Sequence, residues 1–95
     1  MLLLAKFKVI GHSMEPTIKN GETVLVTSLF YWFKNPEIDD IVAFREAGKV
    51  LIKRVTDVSK EKYCLAGDNR QDSLDSREFG LISKQKILGK VFYKQ

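Results

Sequence analysis

Residues 41–55 read IVAFREAGKVLIKRV, two apolar segments on either side of Ala47-Gly48. Val, Ile and Phe favour extended backbone, and glycine accepts the positive φ that a tight turn between antiparallel strands requires. The stretch therefore predicts a β-hairpin with strands over residues 41–45 and 50–55. It is the clearest structural element in the sequence.

The rest of the chain repeats this pattern of short apolar segments between turn residues. Asn20-Gly21, Asn35-Pro36 and Gly67-Asp68-Asn69 supply the residue types that reverse a chain. With the hairpin, the predicted strands are residues 7–10, 23–28, 41–45, 50–55, 63–66 and 87–93, and one helical turn is predicted at 83–87. We therefore expect an all-β fold, a compact β-sandwich or barrel of short antiparallel strands with minimal helix.

Length and composition are those of one domain over residues 1–95. The chain has 95 residues, of which 44% are hydrophobic and 29% charged, and its net charge is +4. Such a charge favours acidic partners or anionic lipids without requiring either. Cys64 is the single cysteine and His12 the single histidine, so an intramolecular disulfide and a Cys/His zinc site lack the residues they need.

The apolar runs are too short to cross a membrane. Residues 2–5 are followed at once by Lys6, and residues 29–33 form a second run, Leu-Phe-Tyr-Trp-Phe. Aromatic side chains suit a lipid interface, so this run predicts either a peripheral membrane or substrate contact or a cover over the core. The sequence predicts no transmembrane segment and leaves the compartment open, cytoplasmic or peripheral to a membrane. The aromatic residues concerned are Phe30, Tyr31, Trp32 and Phe33.

Ser13 lies in a sharp turn, Gly11-His12-Ser13-Met14-Glu15-Pro16-Thr17. Gly11 permits close backbone approach, and Pro16 disfavours helical geometry for the residue before it. A serine in such a turn is more often a turn former or a helix cap than a nucleophile. Neighbouring residues of an extended chain point to opposite faces, which disfavours His12 as its base. A nucleophilic Ser13 would therefore need a neutral lysine.

Lys53 is the best candidate for such a lysine. Side-chain alternation along the second hairpin strand places it on the same face as Leu51 and Val55. Burial among apolar neighbours disfavours the ammonium form and lowers a lysine pKa from its usual value of about 10.4. The alternative is a lysine that extends from a strand edge into water.

A polar stretch from Gly67 to Gly80 is too long for a simple turn. A calcium loop does not fit it, because counting from Asp68 places Arg70 at the third ligand position and Ser73 where glycine is needed. The remaining alternative from the residues alone is a solvated loop tied by Asp75 and Arg77.

Taken together, the three segments resemble the signal peptidase I family of membrane-associated serine proteases. Residues 11–17 are similar to the serine box of the family, and Lys53-Arg54-Val55 is similar to its lysine box. Residues 67–80 are similar to its closing Gly-Asp-Asn-Arg…Ser…Asp-Ser-Arg…Gly box, and Gly89-Lys90-Val91 matches its last strand. The boxes occur in the order found in the family.

The resemblance implies a Ser-Lys dyad with Ser13 as nucleophile, Lys53 as general base and Ser73 as the residue that orients the base. It also implies ion pairs of Asp68 with Arg54 and of Asp75 with Arg77. The backbone N–H of Ser13 would be one oxyanion donor, and Gly11 takes the place where some members have a donating serine hydroxyl. Met14 and Pro16 would shape the turn and the pocket wall, although Met14 is equally suited to filling the core. The scaffold residues so implied are Gly11, Met14, Pro16, Arg54, Asp68, Asn69, Asp75 and Arg77.

The implied activity is that of a serine endopeptidase that needs no metal or cofactor. It would remove an N-terminal leader or signal segment from a precursor polypeptide bound as an extended strand. Typical members carry an amino-terminal membrane anchor, and large ones insert a β-domain between the lysine and closing boxes, whereas this chain is short in both places. In this it is most similar to nickel-type superoxide dismutase maturation proteases, with a general signal-peptidase-like protease as the other reading.

An alternative from another class is a small basic β-barrel that binds single-stranded nucleic acid. Such a protein stacks bases on aromatic side chains interleaved with Lys and Arg. Here the aromatic residues cluster at 30–33, and this reading leaves Ser13 and Lys53 unexplained. We therefore expect no nucleic-acid partner.

Overall fold

The computed structural model describes residues 4–69 and 80–95. Within them, strands alternate with short turns, as expected from the spacing of β-branched and turn residues. The strands are β1 (Ala5–Lys8), β2 (Thr23–Thr27), β3 (Ile41–Glu46), β4 (Lys49–Ser59), β5 (Lys62–Ala66), β6 (Ile82–Ser83) and β7 (Ile87–Lys94). One helical turn, α1 (Phe30–Phe33), precedes β3, and a 3₁₀ turn (Lys84–Lys86) precedes β7.

The strands form one sheet in the order β1-β2-β7-β3-β4-β5-β6, and every described pairing is antiparallel. The all-β prediction is confirmed. A closed barrel would need a ladder between the first and last strands of this order, and the described residues contain none. The barrel form of the prediction is therefore replaced by an open sheet.

The predicted hairpin is present as β3 and β4. Glu46 pairs with Lys49, and the two turn residues Ala47 and Gly48 have φ of 52° and 78°. Positive φ at both central positions is the turn geometry that matches the twist of paired strands. β4 continues beyond the predicted end at residue 55 because its second half pairs with β5.

Other elements also differ from the sequence prediction, most clearly the first strand and the aromatic run. The first strand covers residues 5–8 rather than 7–10, since Val9 instead bonds to the next turn, donating its N–H to the Glu22 carbonyl and accepting from the Gly21 N–H. The aromatic run at 30–33 forms a helical turn that periodicity over so few residues does not reveal.

Apolar side chains cover both faces of the sheet. Alternation along β3 sends Val42 and Phe44 into one cluster and Ala43 into the other. The first cluster comprises Tyr31, Val42, Phe44, Val55, Tyr63, Leu65 and Ile82, and the second comprises Val9, Met14, Ile18, Val24, Val26 and Ala43.

The aromatic turn α1 is divided between core and surface. Tyr31 is buried in the first cluster, and its hydroxyl donates to Asp40 Oδ2 at 2.7 Å. Phe30, Trp32 and Phe33 are exposed by 41%, 47% and 84%. Of the two sequence predictions for this aromatic run, a cover over the core holds for Tyr31 alone. Among the helices in the described part of the chain, none has the length and apolar character needed to span a membrane.

Candidate active site

The serine turn, residues 11–17, is anchored in the second cluster by Met14 and by the residue that follows the turn, Ile18. Met14 and the following Ile18 are fully buried, and the Ile18 N–H donates to the Met14 carbonyl at 2.9 Å. Gly11 opens the turn with a φ of 103°, a left-handed value that residues with a Cβ rarely adopt. Its N–H donates to Asn20 Oδ1 at 2.7 Å. Ser13 itself is half-buried.

The histidine beside Ser13 interacts with a carboxylate. His12 Nδ1 lies 2.9 Å from Glu15 Oε2, and this hydrogen bond is the main reason that the pKa of Glu15 lies below its ordinary value. The ring is exposed at the surface. This pairing agrees with the sequence argument that His12 is poorly placed to act as the base for its neighbour.

Lys53 is buried, with only 4% of its surface exposed. It lies in β4, which pairs with β3 on one side and β5 on the other, and it is opposite Val42 in the β3 ladder. Leu51 and Val55, its neighbours on the same face, pack in the first cluster. Because the side chain is almost completely buried, the alternative of a lysine that reaches water from a sheet edge is wrong.

Ser13 and Lys53 line the same groove, which has a volume of about 170 Å³. One wall consists of residues 7–10 and the other of residues 50–53. Most side chains of both walls are apolar. The fold therefore brings together two residues that the sequence places in separate segments, and it does so in a cleft rather than on a flat surface.

Residues 7 and 8 of one wall and residues 50–53 of the other belong to strands that have one side without a paired strand. In the described residues β1 pairs with β2 alone, and residues 49–52 of β4 pair with β3 alone, because the ladder with β5 starts at Arg54. An extended peptide can add to a strand edge of this kind through main-chain hydrogen bonds. The groove is therefore suited to a peptide in β-conformation.

The start of the polar stretch packs against both halves of the site. Arg54 donates from Nε to Asp68 Oδ1 at 2.8 Å and from Nη2 to Asp68 Oδ2 at 2.9 Å, so the ion pair implied by the family resemblance is present. This hydrogen bonding to Asp68 raises the pKa of Arg54. Asn69 donates its backbone N–H to the Ser13 carbonyl at 2.8 Å and its side-chain amide to the His12 carbonyl at 3.1 Å.

Two of the implied scaffold residues lie away from the groove walls. Met14 is completely buried in the second cluster, and Pro16 is exposed. Neither is among the residues that line the groove, and their implied part in shaping the turn and the pocket wall stays a prediction. Ser73, Asp75 and Arg77 lie outside the described residues.

Sequence reasoning gave no role to Thr17, although it ends the serine box. Its hydroxyl donates to Asp68 Oδ2 at 2.5 Å. The one indication in the sequence was that Thr17 has a hydroxyl within the serine box. Its acceptor, Asp68, lies far along the chain and could not be identified from the sequence. No three His, Cys, Asp or Glu side chains come together as metal ligands in residues 4–69 and 80–95.

The chain matches a known protein family over almost its whole length. A family profile described as "Signal peptidase, peptidase S26" matches residues 1–59 and 55–94. Mitochondrial inner membrane protease subunit 1 of Mus musculus is 33% identical, with 88% of this chain and 64% of the mouse protein covered. Signal peptidase I V of Bacillus subtilis is 29% identical, with 90% and 82% covered.

A third relative is signal peptidase IB of Staphylococcus aureus. For strain N315 it is 51% identical, with 97% of this chain and 78% of the relative covered. For strain COL the same 51% identity extends over 37 residues, or 39% of this chain. The chain thus spans just under two thirds of the mouse relative and about four fifths of the bacterial ones.

Proposed function

Because this chain belongs to the signal peptidase family, peptidase S26, we propose that it is a serine endopeptidase that removes N-terminal leader or signal segments from precursor proteins. The observation that carries the proposal is that Ser13 and the buried Lys53 line one groove. A half-buried hydroxyl and a buried amine are the two groups that a Ser-Lys dyad requires. The family match over residues 1–59 and 55–94 supports the same assignment.

Lys53 acts as the general base in this proposal. Burial favours the neutral amine, which accepts the proton of Ser13 Oγ as the oxygen attacks the carbonyl carbon of the scissile bond. When the C–N bond breaks, the lysine returns that proton to the leaving amine. Lys53 then deprotonates a water that hydrolyses the acyl ester, and Ser13 is regenerated.

The backbone N–H of Ser13 supplies one donor to the oxyanion. Gly11 stands where some family members have a serine hydroxyl, and its own N–H donates to Asn20 Oδ1 at 2.7 Å. Gly11 therefore contributes no second donor. A second donor from a water or another backbone N–H completes the hole, since loss of one oxyanion donor costs about 10²–10³ in rate.

The precursor binds as an extended strand between residues 5–8 of β1 and residues 49–52 of β4, both of which have an unfilled side. The family resemblance implies small residues, such as alanine, before the scissile bond, and a groove of about 170 Å³ agrees with this. Two substrate classes fit this description. They are general Ala-x-Ala leaders and the leader of a nickel-type superoxide dismutase precursor.

The proposal is tested by mass-spectrometric cleavage of a panel of Ala-x-Ala leader peptides together with a nickel superoxide dismutase precursor. We expect Ser13→Ala and Lys53→Met each to abolish cleavage. Matched controls are Ser59→Ala in β4 and Lys62→Met in β5, which change exposed residues outside the groove and should retain wild-type rates. Equal cleavage by wild type and Ser13→Ala would refute the dyad, and the preferred substrate decides between the two classes.

The exposed side chains of α1 form a membrane contact in this proposal. Phe30, Trp32 and Phe33 project from a turn that Tyr31 anchors in the core, and Lys90 Nζ lies 5.1 Å from the centre of the Phe30 ring. Aromatic side chains with a neighbouring cation suit the headgroup region of a bilayer.

This contact is tested with vesicles that contain anionic lipid. Replacing Trp32 and Phe33 together by Ser should reduce co-sedimentation with the vesicles. A matched control replaces Phe92 and Tyr93 by Ser, because these aromatic residues of β7 are also exposed, by 47% and 54%. Unchanged co-sedimentation of the first variant, or equal loss in both, would contradict a specific contact through α1.

A further inference from the structure

Hydrogen bonds to Asp68 connect two parts of the site that are distant in sequence. Its Oδ1 accepts from Arg54 Nε, and its Oδ2 accepts from both Arg54 Nη2 and the Thr17 hydroxyl. Arg54 directly follows Lys53 in β4, and Thr17 closes the serine turn. One carboxylate thus joins the strand that carries the proposed base to the turn that carries the proposed nucleophile.

Asn69, the residue after Asp68, adds two bonds to the other end of the serine turn. It donates to the carbonyls of His12 and Ser13, at 3.1 and 2.8 Å. The turn is therefore held against residues 68–69 at both ends, by backbone acceptors on one side of Ser13 and by the Thr17 hydroxyl on the other.

The buried apolar side chains of the serine turn do not by themselves set its orientation relative to β4. Met14 and Ile18 are buried in the second cluster, which also contacts Ile52 of β4. Burial of apolar surface is non-directional, whereas a hydrogen bond has a preferred length and angle. A turn held by Met14 and Ile18 alone can slide or rotate by fractions of an ångström relative to β4.

We infer that Thr17 is a positioning residue, whose hydrogen bond to Asp68 sets the placement of Ser13 Oγ relative to the amine of Lys53. This inference rests on the proposed function, since it assigns a role within the Ser13-Lys53 dyad. Thr17 is not among the residues that line the groove, so it acts through Asp68 and the serine turn rather than through the substrate. The bond is partly buried, and a charged acceptor strengthens it.

The test compares Thr17→Val, which keeps the shape but removes the donor, with Thr17→Ser, which keeps the donor. Misplacement of reacting groups by about 1 Å can cost about 10²-fold in rate, so we expect kcat of Thr17→Val to fall by about 10- to 100-fold. KM should change by less than about twofold because the groove walls are untouched. Thr17→Ser should restore kcat to within about threefold of wild type.

Thr56→Val is the matched control. The Thr56 hydroxyl also makes a partly buried hydrogen bond, to the Cys64 carbonyl at 3.2 Å, and it lies in β4 three positions after Lys53. Its removal costs stability without touching the serine turn. We expect Thr56→Val to show wild-type kcat at a temperature where both variants are folded, as checked by thermal unfolding.

The outcomes separate this inference from the proposed function. If Ser13-dependent cleavage is present and Thr17→Val has wild-type kcat, the positioning role is refuted and the peptidase assignment stands. The role is also refuted if Thr17→Val raises KM alone, or if Thr17→Ser and Thr56→Val lose as much kcat as Thr17→Val. A wild-type protein without Ser13-dependent cleavage would overturn both.

Discussion

Among the glycines whose surroundings the structure describes, Gly89 is the one where an added methyl group meets the closest contacts. It is buried in β7, where it pairs with Ala43 of β3. A Cβ at this position would lie 2.5 Å from the Thr27 carbonyl oxygen, 2.7 Å from the Thr27 carbonyl carbon and 3.0 Å from the Ser28 nitrogen. The nearest of these contacts is 0.9 Å shorter than the 3.4 Å at which ordinary van der Waals contact begins.

The atoms that a Gly89→Ala methyl meets are backbone atoms, which cannot rotate away as a side chain can. Relief requires a shift of the end of β2 against β7, and the cost falls at the upper end of the range for overpacking, about 3 kcal/mol. For a domain of this size each kcal/mol lowers Tm by about 4–8 °C, so we expect Tm to fall by about 12–24 °C. Thermal and urea unfolding, followed by circular dichroism and Trp32 fluorescence, measure this change.

Gly48→Ala is the control for the loss of glycine itself. Nothing lies within 4 Å of a Cβ at Gly48, but its φ is 78°. A left-handed backbone costs an alanine about 1–2 kcal/mol, so the expected Tm decrease is about 4–16 °C. A Gly89→Ala protein whose Tm falls by less than about 4 °C, or by no more than that of Gly48→Ala, would refute the steric reasoning.

Two further predictions concern the contacts that hold α1 against the sheet. Tyr31→Phe should lower the free energy of unfolding by about 2 kcal/mol, measured in urea, because it removes a buried hydrogen bond to the Asp40 carboxylate; a loss below about 0.5 kcal/mol would contradict this. Burial raises the pKa of Asp40, but hydrogen bonds from the Glu37 N–H and the Tyr31 hydroxyl, together with Lys90, outweigh it and hold the pKa below its ordinary value of 3.8. The stability from this carboxylate is therefore complete above about pH 4 and is lost as pH falls through the folded-state pKa, so the Tm difference between wild type and Asp40→Asn should narrow only under acid conditions. A difference that stays constant down to about pH 2 would argue against this contribution.

Local patterns predicted much of the fold. The hairpin of β3 and β4 follows from β-branched residues around a glycine turn, and the turn uses the positive φ expected at Gly48. The second reversal, at Lys60 and Glu61, also has positive φ, of 49° and 64°. The sequence prediction ended this strand at residue 55, so the extension of β4 to Ser59 was missed.

The candidate site, too, could be predicted from the sequence only in part. Alternation along β4 predicted that Lys53 shares a face with Leu51 and Val55, because side chains of a strand alternate strictly between faces. It did not predict whether that face would be buried. Burial of that face follows from packing against the first cluster, whose side chains come from distant segments of the chain.

The chemical groups of the candidate site can be identified from the residues alone: a serine in a glycine-led turn, a lysine in an apolar strand and a polar stretch that can hydrogen-bond to both. That Ser13 and Lys53 share a groove, and that Asp68 links Arg54 to Thr17, follows from the folded chain and not from any local pattern. In the sheet, β7 lies between β2 and β3, although it is the last of the described strands in the chain. Such pairings join residues far apart in the chain, and the alternation of residues within one segment carries no information about which distant strand will lie beside it.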